Sequence, residues 1–172
     1  MNPIDTENPL ENNWSFWHSR YIGPSYSTID YNNGLAEIGT FGTIQNFWRW
    51  YNNLPKVATF RPGTTFYLMK KGIKPVWEDE YNANGGHYFF KIHNNYIDDV
   101  WLYLILGAIG EQFNENICGL AVSIRKNQES VIQIWNKSAN EANLENMKIF
   151  IVSIIPKIQY IIPPIYKAHN VK

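Results

Sequence analysis

The chain has 172 residues, enough for one domain with a sizeable hydrophobic core. Its 15 basic and 15 acidic side chains cancel, which excludes attraction to nucleic acid or membrane surfaces through overall charge. The single cysteine, Cys118, excludes an internal disulfide framework, and its apolar neighbours predict a buried, unreactive thiol.

The first half of the chain predicts three strands and one helix. Residues 1–12 are polar and predict a flexible N-terminal arm, so the folded domain is expected over residues 13–172. Strand patterns follow at 14–19 and 35–41, with a long polar loop between them. Thr43 is the expected N-cap of a helix that Pro55 stops. A third strand then ends at Gly72, before a loop that contains Trp77.

The second half predicts two further helices among strands. A strand over 85–93 precedes a helix over 97–113, which has Asp98 and Asp99 at its positive N-terminal end. Two strands, 118–126 and 130–136, form a hairpin, and a third helix follows up to Pro156. The tail is extended. Antiparallel strands with interspersed helices predict an α+β fold whose helices cover one face of the sheet.

Several functional classes find no support in the sequence. The polar N-terminus has no apolar signal-peptide core, and the longest apolar run, residues 100–110, is too short to cross a bilayer. The histidines lack the spacing of metal ligands, and no catalytic motif is present. We therefore expect a cytoplasmic, monomeric protein that is not an enzyme and has no metal or cofactor.

The stretch "VWEDE" (76–80) allows two interpretations. Trp77 offers a platform for a flat ligand, and the Glu78 carboxylate can accept paired hydrogen bonds from a guanine edge. Alternatively, Trp77 packs under its loop, and the carboxylates of residues 78–80 are only solvated charges. Considered alone, the residues favour this second interpretation, because aromatic rings usually pack and charge runs usually stay in solvent.

Two further patterns point to binding surfaces. Arg125 and Lys126 follow an apolar strand and can bind an anion, and the hairpin is expected to bring Trp135 near Arg125. The apolar helix at 100–106 and the aromatic-rich helix that begins at Thr43 carry more apolar surface than one buried stripe requires. Both full burial and a partner-binding surface fit this excess.

Taken together, the motifs resemble the eukaryotic translation initiation factor 4E family, which binds the 7-methylguanosine cap of mRNA. The resemblance covers practically the whole chain and includes "GTFGTIQNFWRWY", "GIKPVWEDE" followed by "GG", "VWLYLILGAIGEQF" and "ICGLAVSIR…IQIWNK". Within the family the chain is most similar to the 4E homologous protein class, through "EIGTF", "NGG", "GEQF" and "IWNK".

The resemblance implies a single cap-binding domain over 13–172, with a curved antiparallel sheet of about eight strands and three helices on its convex face. Tyr31, ten residues before Phe41, and Trp77 would stack on the methylated base, with Tyr26 as the alternative to Tyr31. Glu78 would bind the guanine N1 and N2 groups, and Trp135 would contact the N7-methyl group. The implied phosphate-binding residues are Arg125, Lys126 and His87.

The convex face would recruit scaffold or repressor proteins that contain a Tyr-x4-Leu-hydrophobic motif, so the protein would promote or repress translation. The implied docking residues are Pro9, Ile44, Trp48, Leu102, Tyr103, Leu106 and Gly110. The lysine that general factors place after the arginine is missing here, which weakens the expected phosphate contact. An alternative is therefore a degenerate scaffold that binds partner peptides with weak or no cap affinity.

Overall fold

A single sheet dominates the computed structural model, which describes residues 7–19, 34–113, 115–155 and 163–169. Seven strands lie in these ranges: β1 (Pro9–Ser19), β2 (Leu35–Thr43), β3 (Thr65–Lys70), β4 (Gly86–His93), β5 (Ile117–Ser123), β6 (Glu129–Asn136) and β7 (Ile165–Ala168). All neighbours are antiparallel, in the order β2-β1-β3-β5-β6-β4-β7. The predicted α+β fold is confirmed, with seven strands in the described ranges where about eight were expected.

In the described ranges, three helices cover the convex face of the curved sheet. They are α1 (Ile44–Asn53), α2 (Ile97–Ile109) and α3 (Leu144–Ile154), and single 3-10 turns lie at Val57–Thr59, Asn94–Tyr96 and Ala139–Glu141. Bulges in β1 and at Ile117/Gly119 interrupt the ladder, and such interruptions bend a sheet.

Side chains alternate between the two faces of the sheet. On β3, Phe66 and Leu68 belong to the main core, together with the buried side of α2. Tyr67 and Met69 point the other way, into a smaller cluster that includes Trp135. The concave face therefore carries a second, thinner apolar layer, which no described helix covers.

The helix ends follow the expected capping chemistry. Thr43 Oγ1 accepts a hydrogen bond from the Asn46 N–H at 3.2 Å, as an N-cap does, and α1 ends at Asn53, just before Pro55. Asp98 and Asp99 lie in the first turn of α2, as predicted. That helix ends at Ile109 rather than at residue 113, because Glu111 has a positive φ of 52° that no α-helix accepts.

The chain differs from prediction at its N-terminal end, whereas the described tail contains an extended strand, as predicted. Strand β1 begins at Pro9, so part of the predicted arm over 1–12 pairs in the sheet. The Glu7 carboxylate accepts from Thr43 Oγ1 at 2.9 Å and forms an ion pair with Arg49 at 2.6 Å, which ties this segment to α1. In the tail, β7 has only four described residues.

Cys118 has the predicted environment. The residue is 2% exposed, and its Sγ–H donates to the Tyr81 carbonyl at 3.3 Å. Burial raises the pKa of the thiol to about 11, so the thiolate form is rare at neutral pH. No helix in the described ranges has both the length and the apolar character that a membrane crossing needs.

Candidate ligand-binding site

A cavity of about 660 Å³ opens on the concave face. Four of the predicted site residues line it: Trp77, Glu78, His87 and Trp135. The other lining residues come from β3, β5, β6, β7 and the loop after β3, and they are Thr65, Tyr67, Pro75, Val76, Ser123, Gln133, Lys167, Ala168 and His169. The sheet thus brings together residues that are up to about a hundred positions apart in sequence.

The Trp77 ring projects from its loop into this cavity. The side chain is 52% exposed, so the interpretation that it packs under the loop is wrong. The loop holds its shape through the fully buried Asn82, whose Nδ2 donates to the carbonyls of Lys74 at 2.8 Å and Val76 at 2.9 Å. Because the loop is fixed from inside, an exposed ring is held in place without packing.

Glu78 and Asp79, the first two acidic residues that follow Trp77, have different environments. Glu78 is exposed and lines the cavity, where its carboxylate is available to a ligand. Asp79 instead accepts hydrogen bonds from the backbone N–H groups of Lys74 and Tyr81, both at 3.0 Å. Sequence reasoning missed this structural role, although an Asp that accepts from the residue two positions later is a known turn signal.

Trp135 lies at the base of the cavity. It is 7% exposed, its indole N–H donates to Gln133 Oε1 at 3.1 Å, and it pairs with His87 across the β4–β6 ladder. The His87 and Trp135 rings stack at 6.0 Å between centroids with an interplanar angle of 28°. Trp135 is thus a second tryptophan on the lining of the cavity.

The predicted closeness of Trp135 and Arg125 is wrong. In the β5–β6 hairpin, Ser123 pairs with Val131, whereas Trp135 pairs with Gly119 at the other end of the ladder. Arg125 and Lys126 are exposed in the turn between the strands and are not among the described lining residues. Arg125 follows the lining residue Ser123 by two positions, so the turn borders the cavity.

His87 belongs to a chain of hydrogen bonds. His169 Nδ1 lies 2.8 Å from the Asn82 carbonyl, so it donates its proton there. His169 Nε2 is then an acceptor, and His87 Nδ1, at 3.1 Å, is the donor to it. Two neutral imidazoles satisfy this chain completely.

Burial keeps His87 uncharged. Burial first, and then the electrostatic effects of His169 and Lys167, lower the pKa of His87 to about 4. Burial also lowers the pKa of His169. At neutral pH, His87 therefore cannot be the phosphate-binding cation that the resemblance implies, because its imidazole carries no charge.

Acidification is expected to destabilise the fold through His87. Its pKa is 6.5 in its ordinary state and about 4 in the fold, so between these values only the unfolded chain binds the proton. The stabilisation is complete above pH 6.5 and is lost as the pH falls toward 4. Between pH 7 and pH 4.5, the free energy of unfolding measured with urea should fall more for the wild type than for His87→Gln. Equal decreases would contradict the lowered pKa of His87.

A close approach of two strands places the end of β7 at the cavity. A Cβ atom on Gly86 would lie 2.4 Å from the Lys167 carbonyl oxygen and 2.4 Å from the Tyr166 hydroxyl, so only glycine fits there. The His169 N–H donates to the Gly85 carbonyl at 2.9 Å. The double glycine thus seats Lys167 and His169 against β4, and sequence reasoning missed both as lining residues.

Comparison with known proteins decides the family. A family model described as "Eukaryotic initiation factor 4E" matches residues 9–172. The chain belongs to the eukaryotic initiation factor 4E family. Eukaryotic translation initiation factor 4E-1 of Hordeum vulgare subsp. vulgare is 41% identical over 133 residues, which is 76% of this chain and 61% of the relative. The corresponding protein of Triticum aestivum is 40% identical over 140 residues, 80% of this chain and 64% of the relative.

Solved structures of family members have the same fold. C. elegans eIF4E-3, in complex with the 4E-binding protein Mextli and cap analog, aligns with a TM-score of 0.81 and 28% identity, covering 95% of this chain and 94% of that one. Ascaris suum eIF4E-3 with m7G cap gives a TM-score of 0.78 at 27% identity, covering 96% and 93%. The chain spans about three-fifths of the 4E-1 relatives. The similarity to the 4E homologous protein class stays a prediction.

The second predicted surface of this 4E-family chain lies on its convex face. Ile44 is 43% exposed, Trp48 37%, and Tyr103 and Leu106 36% each. We call this the docking surface; it comprises Pro9, Ile44, Trp48, Leu102, Tyr103, Leu106 and Gly110. Leu102 is half-buried, and the remaining two members are exposed. The alternative that neighbouring segments bury these two helices completely is therefore wrong.

One predicted feature, the second stacking ring, cannot be placed in the fold. Tyr31 and its alternative Tyr26 lie outside the described residues, so the ring opposite Trp77 remains a prediction. In the described ranges, no group of three or more His, Cys, Asp or Glu side chains is arranged to hold a metal ion.

Proposed function

We propose that this chain binds the 7-methylguanosine cap of mRNA in the concave cavity, as a cytoplasmic, monomeric binding protein with no catalytic activity. The observation that carries the proposal is the exposed Trp77 ring next to the free Glu78 carboxylate, both on the lining of a cavity with Trp135 at its base. The family relatives, named as initiation factors, support a binding role over an enzyme.

Each of these side chains is proposed to contact a different part of the methylated base. Methylation at N7 makes the purine cationic, and a cation stacked on an indole gains about 0.5–2 kcal/mol beyond ordinary stacking. Trp77 is the stacking surface, with Tyr31 as the proposed opposite ring. Glu78 accepts from the N1–H and N2–H₂ groups, and Trp135 contacts the methyl group. Selectivity for methylated over plain guanine follows from the cationic ring.

The phosphates extend away from the base. Arg125 and Lys126 lie in the turn that follows the lining residue Ser123, so they are proposed to contact the distal phosphates. Two stacks of about 1–3 kcal/mol each and a carboxylate contact of roughly 1.5–3 kcal/mol sum to about 3.5–9 kcal/mol before ordering costs, whereas micromolar binding needs about 8 kcal/mol. Phosphate contacts must therefore contribute to the affinity.

The docking surface gives the chain a second role. It combines exposed apolar side chains of α1 and α2, which suit an amphipathic helix containing a Tyr-x4-Leu-hydrophobic motif. We propose that scaffold or repressor proteins bind there, and that the chain thereby promotes or represses translation. The C. elegans relative was solved with a 4E-binding protein, which is consistent with such partners.

Retention on immobilised 7-methylguanosine triphosphate tests the proposal. The wild-type protein should be retained, and free methylated nucleotide should elute it, whereas an equal concentration of GTP should elute little. Equal elution by both nucleotides, or no retention, would reject cap binding. With partner-peptide binding intact, such a result would support the scaffold alternative.

A further inference from the structure

We propose that Lys167 of β7 is a further cation that contacts the cap phosphates in this chain, beside Arg125 and Lys126. This inference rests on the proposed cap binding and assigns a cation that the family resemblance does not place in the site. Lys167 is exposed, lines the cavity and lies directly opposite His87 in the β4–β7 ladder. Its ammonium forms no ion pair with any residue of the described ranges.

The other basic side chains around the cavity are less available to a phosphate than Lys167. His87, the direct neighbour of Lys167, is uncharged at neutral pH and is committed to His169. Lys91 lies on the same face of β4, four residues further along, but it pairs with Glu129 at 3.7 Å. The Lys137 ammonium lies over the Tyr81 ring, 5.2 Å from its centroid. Among the described lining residues, Lys167 is thus the side chain with an unopposed positive charge.

The position of Lys167 is fixed by the backbone around it. Its carbonyl oxygen lies against Gly86, where a Cβ atom would come within 2.4 Å, and the following His169 is bonded to Gly85 and Asn82. The strand can therefore not shift away from the cavity without breaking these contacts. The backbone of Lys167 is therefore anchored, while its exposed side chain can reach a ligand.

The opposite charges of Glu78 and Lys167 on the cavity lining favour one orientation of a ligand that carries both a positive and a negative group. Glu78 supplies a negative charge from the loop after β3, and Lys167 supplies a positive charge from β7. A ligand with a cationic ring and an anionic tail matches this separation, with the ring at Glu78 and a phosphate at Lys167. The positive charge of Lys167 also acts on both histidines, whose pKa values it lowers, so its field reaches the cavity base.

Binding of two ligands by Lys167→Gln separates this role from a structural one. We expect affinity for 7-methylguanosine triphosphate to fall about tenfold, as for loss of one charge-assisted contact. Affinity for the nucleoside 7-methylguanosine should be unchanged, since it has no phosphate. Lys167→Arg should restore most of the triphosphate affinity. The matched control is Lys91→Gln, which removes a lysine from the same face of the sheet and should leave both affinities near wild type.

The outcomes distinguish this inference from the proposed function. Wild-type protein that fails to prefer the methylated triphosphate over GTP would overturn cap binding and the inference with it. Normal wild-type selectivity with undiminished triphosphate affinity in Lys167→Gln would overturn the Lys167 assignment alone. Equal losses for nucleoside and triphosphate would also overturn it, because they would indicate a distorted cavity. A loss in Lys91→Gln instead would place the phosphate contact on β4.

Discussion

Replacing Trp77 with alanine is expected to weaken binding of 7-methylguanosine triphosphate roughly 10- to 4,000-fold. The ring supplies one stack of about 1–3 kcal/mol and the cation–π attraction of about 0.5–2 kcal/mol, and each 1.4 kcal/mol is a factor of ten. Fluorescence titration or calorimetry at fixed salt measures the loss. Selectivity over GTP should shrink as well, because the cation–π part is specific to the methylated base.

The Trp77→Ala variant should keep the melting temperature of the wild type. The side chain is 52% exposed, and Asn82 and Asp79 shape the loop without it, so little packing is lost. Tyr81→Ala is the matched control, since Tyr81 is an aromatic residue of the same loop, 42% exposed, that does not line the cavity. Unchanged affinity in Trp77→Ala, or an equal loss in the control, would exclude Trp77 as the stacking surface.

Replacing Trp48 with alanine is expected to weaken binding of a Tyr-x4-Leu-hydrophobic peptide by about 30-fold or more. Large aromatic residues at the centre of an interface typically contribute 2 kcal/mol or more. Trp48 is 37% exposed and packs on Phe47 at 4.8 Å between ring centroids, so it is a rigid anchor. Cap affinity should remain within about twofold, because the sheet separates the docking surface from the cavity.

Ile149→Ala is the control for the docking surface. Ile149 belongs to α3 and is 68% exposed, so this variant removes a comparable apolar contact from another helix. Isothermal titration with one peptide and one nucleotide gives both affinities for every variant. If the peptide binds Trp48→Ala as tightly as the wild type, or if Ile149→Ala weakens its binding instead, the partner does not bind at the docking surface.

The local chemistry of the chain made most elements predictable. The Thr43 cap and the Pro55 stop delimit α1 because both act within a few residues, and the same is true of the acidic first turn of α2. The helix ends near residues 109 and 144 were less predictable. They depend on a positive φ at Glu111 and on Asn143 as N-cap, neither of which the apolar pattern reveals.

The candidate site was predictable where a compact motif carries it. Trp77 and Glu78 are adjacent in sequence, both line the cavity, and the family resemblance implies a role for each. Lys167 and His169 reach the cavity only through the β4–β7 pairing, some eighty residues apart. The position of Trp135 depends on hairpin register, which the turn after Arg125 sets. Neither periodicity nor composition reports such long-range pairings.

The link from His87 through His169 to the Asn82 carbonyl joins the loop of Trp77 to the last strand of the sheet. Within the described residues, β7 has one neighbouring strand and a length of four residues, so few contacts support it. If β7 separates from β4, the hydrogen bond between His169 and the Asn82 carbonyl is lost. Asn82 is also the residue whose side chain holds the Trp77 loop. We therefore expect that opening of β7 loosens the Trp77 loop and weakens ligand binding at the cavity.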